Sequence, residues 1–403
     1  MTPLRTGTIA LALLCAAGRG LHAQQPVTRA QAVAAALARG ARAALGRADT
    51  AAARGLARSA RAFPNPLLSA GYTKDPPQYH AILDVPLDLP WLRAPRIGAA
   101  ESARDAARYG FAFERAAIRF EVDTTYTRTL SADLHARLSR RTARDADSLL
   151  KVAELRRDAG DVSELDVRLA AVNAGQLDNV AVDDSLAAVD ALLALQLQMG
   201  LAGNEPAIAL ADSLAPPPPA DSATAPAGEP LPVAAAAAAL RSEERAVTLA
   251  HRSLFAPSLE LGVEAGDPAG SSPALLPTIG LAFPLPLFNW NGGEVARAVA
   301  ARDRAQAELD RVRRETDAAV ARARRELAAA RARLRRDAGL LASADRVAAM
   351  SLQAYAEGAV ALANVLEAQR NAREALGRYI DDLAAADVAA AALRLLTAAP
   401  EEP

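Results

Sequence analysis

Groups able to carry chemistry are sparse in this 403-residue chain. His80, His135 and His251 are scattered, without metal-ligand spacing. Met199 and Met350 stand alone, so no methionine relay for a metal is spelled out. Cys15 is the single cysteine, and it falls in a segment that reads as an export signal, so the mature chain has no disulfide or thiol chemistry. No Ser/His/Asp arrangement and no phosphate-cradling glycine loop stands out. The residues spell out no enzyme and call for no cofactor. What remains is charge. Arginines from Arg297 to Arg336 are interleaved with Glu294, Asp303, Glu308, Asp310, Glu315, Asp317, Glu326 and Asp337. Mixed charge of this kind forms i to i+4 pairs on a solvated helix face and not a nucleic-acid surface. The formal net charge of −1 agrees.

The elements that carry these charges repeat. Val85-Pro86-Leu87-Asp88-Leu89 returns 198 residues later as Phe283-Pro284-Leu285-Pro286-Leu287. At the same offset Arg104-Asp105 becomes Arg302-Asp303, Gly160 and Val162 become Gly358 and Val360, Asp166-Val167 becomes Asn364-Val365, and Asn173 becomes Asn371. The Pro, Gly and Asn matches weigh most, because those residues mark fixed backbone events. Each copy reads as a helix, two strands, a very long helix, a Gly turn and a further helix. The copies span 24–215 and 233–397, joined by a Pro-rich connector over 216–232 and followed by a tail, 398–403. Hydrophobic residues make up 51% of the chain but aromatic ones only 4%, and Ala dominates. That composition suits helices packed closely side by side better than a thick globular core.

Residues 1–23 read as a signal peptide: Arg5, an apolar stretch Ile9 to Ala17, and Leu21-His22-Ala23 before a cleavage point at Gln24. No later run of 18 apolar residues is present, so a membrane is entered, if at all, as β-strands in a closed barrel. Leu259, Leu261, Val263 and Ala265 alternate with Ser258, Glu260, Gly262 and Glu264. After a turn over 266–273, Ile279, Leu281, Phe283 and Leu285 alternate with Thr278, Gly280 and Ala282. Copy one repeats this with Leu68, Ala70 and Tyr72, a turn at Asp75-Pro76-Pro77, then Leu83, Val85, Leu87 and Leu89. The alternation alone fits two soluble hairpins equally well. A length of about 9–11 residues per strand, as a tilted membrane strand needs, and the export signal favour the membrane. Four strands are too few to close a barrel, so the chain must associate, and three copies supply twelve.

The spans Ala94 to Ala159 and Gly292 to Glu357 lack internal helix breakers, apart from Pro95 in the first turn, and predict helices of roughly 100 Å. Leu309, Val312, Thr316, Val320, Ala323, Leu327, Ala330, Leu334, Ala338 and Leu341 recur at steps of three and four, a coiled-coil seam. A flanking stripe that includes Ala298, Ala305, Ala319 and Ala329 gives the helix a second contact line.

Three segments resemble the TolC-type outer-membrane efflux proteins, in the branch serving heavy-metal and drug pumps of the resistance-nodulation-division class. They are Phe283 to Ala298, Ala159 to Val167, and Tyr355 to Val360 followed by Asn364 to Arg370. The resemblance implies a mostly helical fold in which long antiparallel helices form an α-barrel. It implies a homotrimer whose four strands per chain build a twelve-stranded barrel in the outer membrane. The tunnel reaches into the periplasm, meets a periplasmic adaptor, and through it an inner-membrane pump. The duct passively conducts metal ions or drugs. By motif position, Asn364, Glu367, Asp166 and Tyr355 belong to the tip constriction, where Asp166 and Tyr355 match positions that latch neighbouring tip helices in some relatives. The arginine that partners them there is replaced by Val360. Gly160, Val162, Gly358 and Val360 mark the tip turns as adaptor contacts. Some relatives carry a lipid on an N-terminal cysteine, but Leu14 precedes Cys15 where a lipidation site wants a small residue. The rival readings are an outlet for type I protein secretion and a periplasmic coiled-coil adaptor.

Overall fold

The computed structural model describes residues 25–75, 77–218, 228–253, 256–265 and 275–400. The export signal with Cys15, the centre of the connector and the turn 266–273 lie outside the described residues.

The chain begins with β1 (Gln25–Val27), α1 (Arg29–Arg39) and α2 (Ala41–Arg61). A hairpin follows, β2 (Leu67–Tyr72) and β3 (Tyr79–Pro86), then the long α3 (Pro90–Asp158) and α4 (Glu164–Gln198). After β4 (Ile208–Leu210) the order recurs: α5 (Leu231–Arg252), β5 (Ser258–Ala265), β6 (Leu276–Ala282), α6 (Gly292–Ala356) and α7 (Leu362–Leu396). The leading helix of copy one is two helices, broken at Gly40. The Gly40 backbone is extended (φ −63°, ψ 137°), and a Cβ there would press on the Ala36 carbonyl oxygen. β1 pairs in parallel with β4, an element too short to show in the sequence pattern. This ties the segment before α1 to the segment that follows α4.

The helix α3 starts at Pro90, earlier than the expected Ala94, because Pro90 itself suits a first helical position. Pro95 therefore lies one turn inside the helix. It has no N–H for the Trp91 carbonyl, which accepts the Arg252 Nη1 at 3.4 Å. At 69 and 65 residues, α3 and α6 are each about 100 Å long. The helix α3 packs against α4, α5, α2, α7 and α1, and α6 against α7 and α5. The seam of α6 buries Leu309, Thr316, Ala323, Leu327, Ala330 and Leu334, as the heptad pattern predicts. It fades beyond Leu334, where Ala338 is exposed; Ala298 of the flanking stripe is buried and Ala329 exposed. The thickest core surrounds Tyr126, with Val33, Ile118, Val122, Leu130 and Leu195. The Tyr126 hydroxyl donates to the Val27 carbonyl at 2.8 Å. Beside it Arg29 joins Asp387 of α7 at 2.6 Å and donates to Thr127 of α3 at 3.1 Å. The first turn of α1 thus fastens α7 to α3.

Candidate pore entrance and membrane sheet

The four strands of the two hairpins form one antiparallel sheet, β2-β3-β5-β6, whose outer strands β2 and β6 have open edges. Register assigns the side chains to two faces. Leu68, Leu83, Leu261 and Ile279 share one row of the first face, and Val85, Leu259 and Leu281 share another. Tyr72 and Tyr79 close that face at the hairpin end, their rings 5.4 Å apart. On the opposite face lie Asp84 beside Glu260, and His80 beside Glu264 with Nδ1 and Oε1 3.5 Å apart. Successive strand residues point to opposite faces, and the expected alternation holds along β5, while Leu67, Ile82 and Leu276 of the other strands fall on the face of Asp84 and Glu264. The strands are shorter than the expected 9–11 residues, at 6, 8, 8 and 7. Pro86, Pro284 and Pro286 follow or end them, and proline has no N–H for the ladder. Leu87, Leu89, Phe283 and Leu285 consequently lie beyond the strand ends, where they line a wholly apolar cleft of about 460 Å³ with Trp91 and Pro257. Among the described residues nothing covers the apolar face: Leu68, Tyr72, Ile279 and Leu281 are all more than half exposed.

The base of the sheet is clasped to the helices. The Asp88 carboxylate, 1% exposed, accepts Arg93 at 2.7 Å and Arg96 at 2.8 Å. Those arginines also donate to the carbonyls of Arg61 and Ala60, at 2.7 and 3.1 Å. They therefore satisfy the C-terminal end of α2, whose carbonyls have no partner within the helix. In copy two the position of Arg93 is held by Asn291, whose Nδ2 donates to the Ala250 carbonyl at 2.8 Å and so serves the end of α5.

At the far end, α3 and α6 each stop in the same way. Gly160 and Gly358 adopt left-handed φ of 83° and 77°. Gly160 N–H reaches the Arg157 carbonyl and Asp161 N–H the Arg156 carbonyl, both at 2.8 Å. Gly358 and Ala359 repeat this onto Tyr355 and Ala354, at 2.9 and 2.8 Å. These paired bonds are a Schellman stop, which favours glycine at the left-handed residue. The next helices start differently. Ser163 and Asp166 form a reciprocal capping box on α4. Their counterparts in copy two are Ala361 and Asn364, and α7 begins without a side-chain cap.

The structure gathers the two tip turns. Leu149, Ala153, Val167, Ala170, Tyr355, Leu362 and Val365 pack together, with Val360 at their edge. Val162 and Val360 are half-buried, while Gly160 and Gly358 are exposed. Tyr355 is 1% exposed, so its side chain is enclosed and does not reach solvent. Burial pushes its phenol up, and the nearby Asp166 carboxylate adds to the rise while Arg156 opposes it. Asp166 is held by Ser163 at the start of α4. Asn364 and Glu367 are exposed on the first turns of α7, away from the buried Leu362 and Val365. The Glu367 carboxylate accepts Asn371 at 3.3 Å and lies 4.0 Å from Arg370. Sequence reasoning missed Arg156. Its Nη1 donates to the Tyr355 carbonyl at 2.6 Å and its guanidinium lies 4.8 Å from the Tyr355 ring centre. The residue 198 positions later is Ala354, so the repeat gave no signal at this position.

Residues 231–399 match the family described as outer membrane efflux protein. The cobalt-zinc-cadmium resistance protein CzcC of Cupriavidus metallidurans is 30% identical over 256 residues, which are 62% of this chain. The aligned part spans about three fifths (60%) of that relative's length. A membrane protein from Pseudomonas aeruginosa has the same fold, with TM-score 0.77, 20% identity, and coverage of 92% of this chain and 93% of that one. The outer membrane protein VceC of Vibrio cholerae follows, with TM-score 0.75, 17% identity, and coverage of 92% and 96%. The matched span is the second run of elements, and the first run presents the same order of strand pair, long helix, glycine stop and helix. Over residues 231–399 the chain is similar to outer membrane efflux proteins, and across 92% of its length it shares the fold of these two solved membrane proteins.

Proposed function

We propose that three copies of this chain close a twelve-stranded barrel in the outer membrane, continuous with a helical tunnel, and that this duct passively conducts metal ions out of the periplasm. The observation that carries the reading is the sheet. It has two unpaired edges and an uncovered apolar face, and a lone copy in either water or lipid leaves backbone groups without partners. Closure with identical copies removes both edges. The exposed apolar line Leu165, Leu169 and Val172 on α4, with steps of four and three, supports helix contact between neighbouring copies. The likeness to a cobalt-zinc-cadmium resistance protein favours metal cations as cargo over drugs.

In this reading the repeats span 24–215 and 233–397, the signal covers 1–23 and the connector 216–232. Glu367 of three copies rings the entrance with negative potential, which favours cations, and Asn364 contributes a weaker dipole. The turns at Gly160, Val162, Gly358 and Val360 meet a periplasmic adaptor, which couples the duct to an inner-membrane pump. Asp166 serves these turns as a helix cap, and Tyr355 as their buried centre. The test is fractionation followed by planar-bilayer recording of the mature protein. The reading requires a heat-labile trimer in the outer-membrane fraction and cation-selective channels that lose selectivity in Glu367→Gln. Recovery as a soluble periplasmic monomer would overturn it.

A further inference from the structure

We propose that Arg156 is the positioning residue that holds the second tip turn closed, doing in trans what that turn lacks locally. The inference rests on the duct reading for its consequence but on the tip geometry for its existence.

The two tip turns are unequal. The first carries its own N-terminal cap, Ser163 with Asp166. The second has Ala361 at the cap position and no side-chain bond to the α7 amides. An uncapped helix start frays more readily. What the second turn has instead comes from the neighbouring hairpin. Arg156 leaves the last turn of α3 and donates from Nη1 to the Tyr355 carbonyl at 2.6 Å. That carbonyl also accepts the Gly358 N–H that defines the stop. The guanidinium lies over the Tyr355 ring, and a Cβ placed on Gly358 would come within 3.3 Å of Nη2. One side chain therefore touches the carbonyl, the ring and the glycine of the same turn. The Tyr355 hydroxyl is buried without a hydrogen-bond partner, so the ring and the carbonyl are what Arg156 reads. The contacts join residue 156 of copy one to residues 355–358 of copy two, and they cross between the two hairpins of the tunnel end. Loss of the clamp frees the second turn, with Asn364 and Glu367 just beyond it, while the first turn keeps its own cap.

The experiment uses the full mature chain, purified and reconstituted, as Arg156→Ala and Arg156→Lys. Hydrogen exchange is read over 355–366 and over 160–170, and single-channel conductance is read in planar bilayers. In Arg156→Ala, exchange over 355–366 should quicken by about tenfold or more, since a charge-assisted hydrogen bond and a cation–π contact are both lost. Exchange over 160–170 should stay near wild type, and conductance should rise. Lysine keeps a charge over the ring but not the planar fork, so Arg156→Lys should fall between the two. Equal acceleration in both turns means general loosening and overturns the clamp, as does no change in 355–366. If no variant conducts while 355–366 alone loosens in Arg156→Ala, the clamp stands and the duct reading falls.

Discussion

Leu261→Arg tests the assignment of the two sheet faces most directly. Leu261 lies three residues from the start of β5 and four from its end, at the middle of the strand. It sits in the row Leu68, Leu83, Leu261, Ile279, which crosses all four strands. In the proposed barrel this row is near the bilayer midplane. An arginine on the lipid face at that depth costs about 2–4 kcal/mol in transmembrane barrels. Three copies bring the penalty to roughly 6–12 kcal/mol per trimer on the same scale, comparable with the whole net stability of many folded proteins. The control is the adjacent residue. Glu260 points to the other face, directly opposite Asp84. There Glu260→Arg replaces a like-charge pair with an opposite-charge one, a change expected to be neutral or mildly favourable. The assay is refolding from urea into lipid vesicles, with trimer yield on a cold denaturing gel. Leu261→Arg should shift the refolding midpoint far toward low urea and abolish most trimer, while Glu260→Arg leaves both near wild type. Equal tolerance of the two, or equal damage, refutes the face assignment, because a sheet wetted or buried on both sides would not tell neighbouring residues apart.

Three further outcomes follow from the same geometry. Asp88→Ala should lower stability by about 3 kcal/mol or more, measured by urea titration, because Arg93 and Arg96 lose the buried carboxylate between them. Gly160→Ala forces a Cβ into a left-handed backbone and should cost about 1 kcal/mol with no steric clash, whereas Gly358→Ala should cost more because its Cβ also meets Arg156. Burial pushes the Asp123 carboxyl up, against the pull of Arg29 and Arg394. A carboxyl raised in the folded state favours folding in acid, and that contribution is fully present below the ordinary value of 3.8 and is lost as pH rises through the raised one. Asp123→Asn should flatten this fall, read as the difference between wild-type and variant unfolding free energies along a pH series; a constant difference removes the basis for the assignment.

The sheet and long helices were legible because their signals are periodic. Alternation in 258–265 and the near-heptad run from Leu309 each follow from a single buried line, and copy two checks copy one. The strand ends lie short of the expectation because alternation runs on through Phe283 and Leu285, past the last paired residue, Ala282. The break at Gly40 and the three-residue β1 and β4 left no period to read. At the tip, Asp166 and Tyr355 were found by motif, but what they touch was not. Asp166 spends its Oδ2 on Ser163, three residues away, and Tyr355 is enclosed by residues of α3, α4 and α7. Contacts between residues 199 positions apart leave no local trace in one sequence.

The pattern of agreement between the repeats is itself informative. At the sheet end both copies solve one problem, the unmet carbonyls of the helix entering the strands, and both solve it from the same position, with Arg93 in one and Asn291 in the other. The side chains differ but the recipient is equivalent, as expected where the geometry must stay fixed for strands to register with their neighbours. At the tip the copies share the glycine stop and then part: capping box against bare alanine, Asp166 against Asn364, Arg156 against Ala354. A wall of identical hairpins could only be uniformly tight or uniformly loose. With the difference confined to the tip, the second turn depends on the first through one arginine, while the sheet end stays pinned in both copies. In the proposed duct, mobility at the tip can then be tuned without loosening the sheet about 100 Å away.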